Sequence, residues 1–303
     1  MTMLRSRARM ILVVVALAAA AGLVVALASS GGGDGAVASV DPHAVADVPA
    51  SKVRHVLAAT EAASTATSNA ELVSQGRALF NDPAVAKRGE TCGGCHTIGT
   101  TNAGLGTTPH FDADGKVLFA RDPPTLVDAA KTAPYGWTGG AATLRDMVLN
   151  TIFTHFKDGV TQPEAKTAEE AAALVAYISS IRAPTSSFDQ GTMSAAALRG
   201  ETLFQGKGAC IACHGGPAFT DNGLHNTLVP NRPGWNDPGA TFPPGAFNTP
   251  TLRDVRNSAP YMHNGVFNTL REVVDFYNSR SSIAPLRLTP AEIDDLVAYL
   301  EAL

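Results

Sequence analysis

Aromatic side chains make up only 6% of this 303-residue chain, and just two of its residues are tryptophan. So few large rings leave a core short of its usual apolar bulk, which something other than side chains must supply if both halves are to be packed. A basic excess is also lacking: 23 Lys and Arg stand against 27 Asp and Glu, a net charge of −4. That balance offers no basic surface for a nucleic acid and excludes it as a partner. Strand signals are weak throughout, so the fold class is mainly α. Cysteine is scarce, with four in the whole chain, and where those four fall organises the rest.

They form two copies of one motif, Cys92-Gly93-Gly94-Cys95-His96 and Cys210-Ile211-Ala212-Cys213-His214. A Cys-x-x-Cys-His run is the signature of c-type haem attachment, in which both thiols form thioethers to the porphyrin and the adjacent imidazole binds iron. A zinc site would place its two Cys pairs some 15 to 20 residues apart, whereas these motifs start at 92 and 210, 118 apart. A thioredoxin-like pair needs no His after its second Cys, and a disulfide within Cys-x-x-Cys would close a strained ring. The expectation is two covalently bound haem c groups, with Cys92, Cys95, Cys210 and Cys213 as attachment points and His96 and His214 as proximal ligands. Haem also supplies the apolar bulk that the aromatic content leaves out.

The N-terminus reads as a targeting segment. Arg5, Arg7 and Arg9 precede an uncharged run over residues 10–28, 19 residues against the ~20 of a membrane-spanning helix. The positive flank holds the N-terminus in the cytoplasm and sends the rest across. Ala26-Leu27-Ala28 fits a small-x-small cleavage site before Ser29, so 1–28 is read as a signal peptide or a membrane anchor, and the expected location is periplasmic or otherwise extracytoplasmic. Residues 29–66, rich in Ala, Ser, Gly and Val, read as a flexible linker in which His43 and His55 are solvated.

An internal repeat begins near residue 67. Gly76-Arg77-Ala78-Leu79-Phe80 recurs as Gly200-Glu201-Thr202-Leu203-Phe204, and Pro124-Thr125-Leu126 as Pro250-Thr251-Leu252. Ala133-Pro134-Tyr135 recurs as Ala259-Pro260-Tyr261, Thr143-Leu144-Arg145 as Thr269-Leu270-Arg271, and Leu174-Val175-Ala176-Tyr177 as Leu296-Val297-Ala298-Tyr299. Five blocks in one order imply duplication of a haem-binding unit, over 67–183 and 184–303, with the boundary in the Pro- and Ser-bearing segment 183–190. In each unit a helix ending in Leu-Phe leads to the haem motif, a Gly/Pro loop follows, and two helices close the unit. The pairs Thr167/Glu170 and Thr289/Glu292 have capping-box spacing, and Pro290 suits a first helical position. Ile293, Leu296, Val297 and Leu300 give the last helix one apolar stripe.

The second unit also carries Phe219-Thr220-Asp221-Asn222, His225-Asn226-Thr227, Thr249-Pro250-Thr251-Leu252-Arg253 and Ala259-Pro260-Tyr261-Met262-His263-Asn264-Gly265. With these motifs the chain from about 67 onward resembles the bacterial dihaem cytochrome c peroxidase and MauG superfamily. The resemblance implies two cytochrome c-like domains packed face to face, with a peroxidatic haem in the first, an electron-transfer haem in the second, and a calcium ion and a tryptophan between them. Trp137 matches that tryptophan, and His263 is its repeat counterpart. Asp122 stands where the family has a calcium-binding Asn, with Ser258 and Pro260 matching the other contributors; a hard cation accepts Asp for Asn.

For the second haem, the position of the family's axial Met is Tyr277, as in MauG-like members, and Met262 is the rival ligand. At the first haem this sequence departs from its relatives: Met147 and Lys157 occupy the positions of the family's distal Gln and catalytic Glu. That Glu moves a proton between peroxide oxygens. His155, two residues away, is the candidate replacement as distal base or ligand, with His110 and Met147 as rival ligands. The resemblance implies an oxidoreductase that takes hydrogen peroxide at the first haem, with electrons passing through Trp137 and supplied by a small redox protein (cytochrome c or cupredoxin) or a protein substrate. The alternative is a non-catalytic dihaem carrier with both irons six-coordinate. A haem sensor would need a signalling domain, and only about nine residues precede the apolar run.

Overall fold

The computed structural model of the chain describes residues 68–83, 91–97, 108–111, 117–152, 164–279 and 285–303. The expected signal or anchor segment 1–28 and the linker 29–66 lie outside them. Among the described residues no helix is long and apolar enough to cross a membrane.

The first unit opens with α1 (Asn69–Phe80), whose start is fixed by Ser68. The Glu71 amide donates to Ser68 Oγ, and the Glu71 carboxylate accepts from the Ser68 amide, so two orphan donors are satisfied at once. The first Cys-x-x-Cys forms the short α2 (Cys92–Cys95), capped by Thr91. The strands β1 (Thr108–Phe111) and β2 (Val117–Arg121) pair antiparallel, with an irregularity after His110. Then come α3 (Leu144–Thr151), capped by Thr143 and Asp146, and α4 (Glu164–Ser180). In the second unit a helical turn α5 (Ser187–Gln190) leads to α6 (Ala195–Gln205), β3 (Leu224–His225), β4 (Phe247–Asn248), α7 (Leu270–Ser279) and α8 (Pro290–Leu300). Among the described residues the fold is mainly helical, and the four short strands form two separate two-stranded ladders.

The sequence repeat is a structural one. Phe80 packs edge-on to Tyr177 at 5.3 Å, and its counterpart Phe204 packs edge-on to Tyr299 at 5.2 Å. Both pairs lie where the first helix of a unit crosses the last. Gly76 and Gly200 allow that crossing: a Cβ on Gly76 would stand 1.9 Å from the Ala173 carbonyl oxygen, and one on Gly200 would stand 2.0 Å from that of Asp295. The cores on either side hold Phe80, Leu149, Ile152 and Leu174 in the first unit and Phe204, Ile293, Leu296, Tyr299 and Leu300 in the second.

One expected helix start is corrected. Thr289 caps α8 with Glu292 and has Pro290 behind it, as its sequence implies. The matching Thr167/Glu170 pair does not begin α4, which starts three residues earlier, and Thr167 is an interior residue only 1% exposed. Glu164, Ala165 and Lys166 are good helix formers, so the helix runs through the capping sequence and turns Thr167 into the core. At the boundary segment Ser186 caps α5, and the Phe188 amide donates to the Ala302 carbonyl, tying the junction to the C-terminus.

Polar contacts join the two units. The Asp122 amide donates to the His263 carbonyl at 2.7 Å, the Asn248 amide to the Trp137 carbonyl at 2.7 Å, and the Asn236 amide to the Leu118 carbonyl at 3.3 Å. Arg121 makes a two-pronged pair with Asp237 at 2.8 and 2.7 Å, and the Asp237 side chain is only 1% exposed. A buried pair of this kind fixes register more than it adds stability, since desolvation offsets its attraction.

Candidate haem sites and the seam between them

The two motif histidines are held alike. His96 Nδ1 lies 3.1 Å from the Pro124 carbonyl oxygen, and His214 Nδ1 lies 3.0 Å from that of Phe219. The Pro250 carbonyl, repeat counterpart of Pro124, also acts on His214. An Nδ1–H that donates to a carbonyl leaves the Nε2 lone pair for a metal and fixes the ring. Desolvation lowers both imidazoles, His96 to about 4, with the carbonyl contacts opposing, so each ring is neutral at ordinary pH as an iron ligand must be. Burial likewise pushes the thiols of Cys92 and Cys210 up to about 11. All four cysteines are free of disulfides.

Behind the second motif is a cavity lined by Cys210, Cys213, His214, Met262 and Tyr277 and, from the first unit, by Asp122 and Trp137. Apolar walls, two thiols and a neutral imidazole fit a covalently held haem. Tyr277 comes from α7 and Met262 from the Pro260–Gly265 turn, so both rival ligands share the cavity with His214. Desolvation raises the Tyr277 phenol to about 12, against a hydrogen bond from Thr227. Met262 has a left-handed backbone, φ +72°, uncommon for a side chain of its size.

Trp137 sits in the seam. Its indole Nε1–H donates to the Asp122 carbonyl at 2.6 Å, and its ring meets His263 edge-on at 6.3 Å. His263 is 3% exposed and stacks on Phe247 at 3.5 Å, with Nε2 3.9 Å from the Asp237 carboxylate. Burial lowers this imidazole to about 4 despite that neighbour. Asp122, Ser258 and Pro260 line the same cavity. Asp122 is 5% exposed, and desolvation raises its carboxyl to about 7, with Arg232 pulling it down only in part. Its carboxylate has no hydrogen-bond partner among the described residues, the condition a hard cation would relieve.

His110 lies in β1, beside the irregularity of that ladder. Met147 is on α3 with its sulfur facing Gly136, the neighbour of Trp137. His155 and Lys157 lie outside the described residues. Sequence reading missed the buried Arg121–Asp237 pair and the Thr227–Tyr277 contact. It also missed a cluster of Cys213, Asp221 and His225 whose ligand atoms lie within 4.8 Å of one another. Asp221 and His225 form a 2.7 Å pair, and Cys213 leaves the cluster once it carries a thioether.

A model of the cytochrome c family matches residues 73–182 and 197–303. The cytochrome-c peroxidase IdrP1 of Denitromonas iodatirespirans is 30% identical over 306 residues, covering 77% of this chain and 81% of the relative. The methylamine utilization protein MauG of Methylorubrum extorquens is 29% identical over 279 residues, covering 77% and 78%. Among solved structures, a MauG-like protein associated with microbial copper homeostasis superposes with a TM-score of 0.65 at 25% identity, covering 77% of this chain and 88% of that one. The diheme peroxidase BthA from Burkholderia thailandensis shares the fold, with a TM-score of 0.64 at 22% identity over 77% and 86%.

Proposed function

The chain belongs to the cytochrome c family and, within it, to the dihaem cytochrome c peroxidase and MauG superfamily, and from that premise we propose that it is an exported dihaem oxidoreductase that consumes hydrogen peroxide. Haem c, when bound, supplies reversible one-electron chemistry at an iron, with the first unit as peroxide site and the second as electron relay. The observation that carries this reading is Trp137, anchored at Asp122 and Asn248 in the seam and lining the cavity of His214.

The chain's own residues divide the work. Cys92, Cys95, Cys210 and Cys213 tether the two groups, while the carbonyls of Pro124 and Phe219 aim the imidazoles of His96 and His214. Tyr277 is the distal ligand of the second unit, supported by its place in the cavity and by Thr227, while Met262 packs beside it. A phenolate lowers the potential where a thioether would raise it. His155 is the group that moves a proton between peroxide oxygens in place of the absent Glu, and His110 is the removable sixth ligand, ahead of Met147. Asp122, Ser258 and Pro260 hold one calcium ion. The protein works outside the cytoplasm, tethered to the membrane by residues 10–28 if these are retained, and draws electrons from a small cytochrome c or cupredoxin, or from a protein substrate.

A Trp137→Phe variant tests the relay. It keeps the wild-type haem content, and electron equilibration between the haems after pulse reduction slows by about tenfold or more, a barrier increase of ~1.4 kcal/mol. An unchanged rate removes Trp137 from the path.

A further inference from the structure

Between residues 226 and 248 the sequence holds only two charged residues, Arg232 and Asp237, and both are turned inward. Arg232 donates to the carbonyls of Asn264 and Gly265 and lies over Trp235, while Asp237 is spent on Arg121. What this segment shows to solvent carries no charge, and its largest exposed side chains are apolar. Phe242 is 85% exposed, Leu228 is 59% exposed, and Pro243 and Pro244 beside Phe242 are exposed as well.

The patch is one surface, because its two parts are tied together. Asn226 Nδ2 donates to the Pro244 carbonyl at 3.0 Å, and Asn226 Oδ1 accepts from the Leu228 amide at 3.0 Å. The turn is closed by the Ala240–Ala246 bridge and by the Gly239 amide bound to Asp237 Oδ1. Gly245, at φ +69°, leaves no room for a Cβ, which would stand 2.6 Å from Asn226 Nδ2. Phe242 is therefore held out on a braced turn, in a conformation that costs it no burial elsewhere. A lone exposed ring would mean little, but one grouped with Leu228, Pro243 and Pro244 is the kind of apolar surface that takes a partner, and a braced one loses little freedom on binding.

The same segment leads into the haem cavity. Thr227 and Val229, on either side of Leu228, line it, and Phe247 at the other end stacks on His263. We propose that Leu228, Phe242, Pro243 and Pro244 form the docking face for a small redox protein whose cofactor edge is ringed by uncharged, apolar side chains. The lack of free charge selects this partner over one with a charged rim, since steering needs complementary fields and none is presented here. The inference rests on the relay reading of the second unit, but binding can be measured with no peroxide present, so its failure and that of the peroxidase reading are distinguishable.

The test uses the ferric holoprotein and an isotope-labelled cupredoxin bearing an uncharged apolar patch over its copper. The holoprotein broadens the amide signals of that patch. The effect is the same within about twofold when the Debye length falls from ~30 Å at 0.01 M salt to ~8 Å at 0.15 M. Phe242→Asp weakens binding about tenfold or more, and Leu228→Asp, an independent variant, acts in the same direction. In both, haem content and the rate of reduction by ascorbate stay at wild-type values. Binding that disappears at the higher salt, or that both variants retain, overturns the proposal. So does sedimentation showing a wild-type dimer that Phe242→Asp splits, because the patch would then be covered by a second copy of this chain.

Discussion

Gly200→Val leaves the second unit unable to pack. The Cβ of any larger residue would sit 2.0 Å from the Asp295 carbonyl oxygen and 2.8 Å from the Tyr299 Cβ, and the first of these is helix backbone that no rotamer change can move. The helices α6 and α8 must then separate, which opens the Phe204–Tyr299 contact and the core around Leu296. Overpacking ordinarily costs about 1–3 kcal/mol; with a rigid carbonyl in the way and a branched side chain, the loss here exceeds the top of that range. The variant is expected to accumulate with less than the wild-type haem content and to melt well below it. Gly94→Ala is the control, since a Cβ there meets only Thr91 Oγ1 at an ordinary 3.4 Å. Wild-type haem content and melting in Gly200→Val would show that the crossing tolerates a side chain.

Without calcium, the wild-type protein loses stability relative to Asp122→Asn as the pH rises from about 4 to about 7. Desolvation lifts the Asp122 carboxyl from its ordinary 3.8 to about 7, so the folded protein holds a proton that the unfolded chain gives up early in that interval. More protons on the folded state means stability that falls with pH across the window and stays low above it. The difference amounts to a cost on the order of 4 kcal/mol above pH 7. Asparagine removes the titration, and a bound cation neutralises it. The His263 imidazole, lowered to about 4, resists protonation and penalises the folded state on the acid side, equally in both proteins. Melting in a chelator at about pH 5 and about pH 8 should separate wild type from Asp122→Asn, with calcium restoring the wild type at the higher pH. Parallel pH dependence in the two proteins would mean that Asp122 is already satisfied.

What could be read from the chain beforehand was what depends on short spacing. The Cys-x-x-Cys-His runs, the five repeated blocks and the Thr289/Glu292 cap all lie within a few residues, and each has a local physical meaning. Thr167 shows the limit of that logic, because helix formers upstream and a core on one side overrule a capping sequence. Gly76 and Gly200 were visible as repeated letters, but their role as crossing points needs the partner helix, which lies about a hundred residues on. Arg121–Asp237 and Thr227–Tyr277 join residues far apart in sequence with no periodic signal. Around the first haem motif, the spacing that singles out His110 and His155 runs across a Gly/Pro-bearing stretch, which does not fix a side chain's place as a helical turn does.

The measurement that bears most directly on the account is low-temperature EPR of the haem-loaded ferric protein, repeated after one electron per molecule and again after hydrogen peroxide. An open first site predicts a high-spin ferric signal in at least one of the first two states, which peroxide abolishes. Two low-spin haems that neither reduction nor peroxide alters would contradict it: His110, His155 or Met147 would then seal the first iron, and the protein would be an electron carrier with no peroxide chemistry.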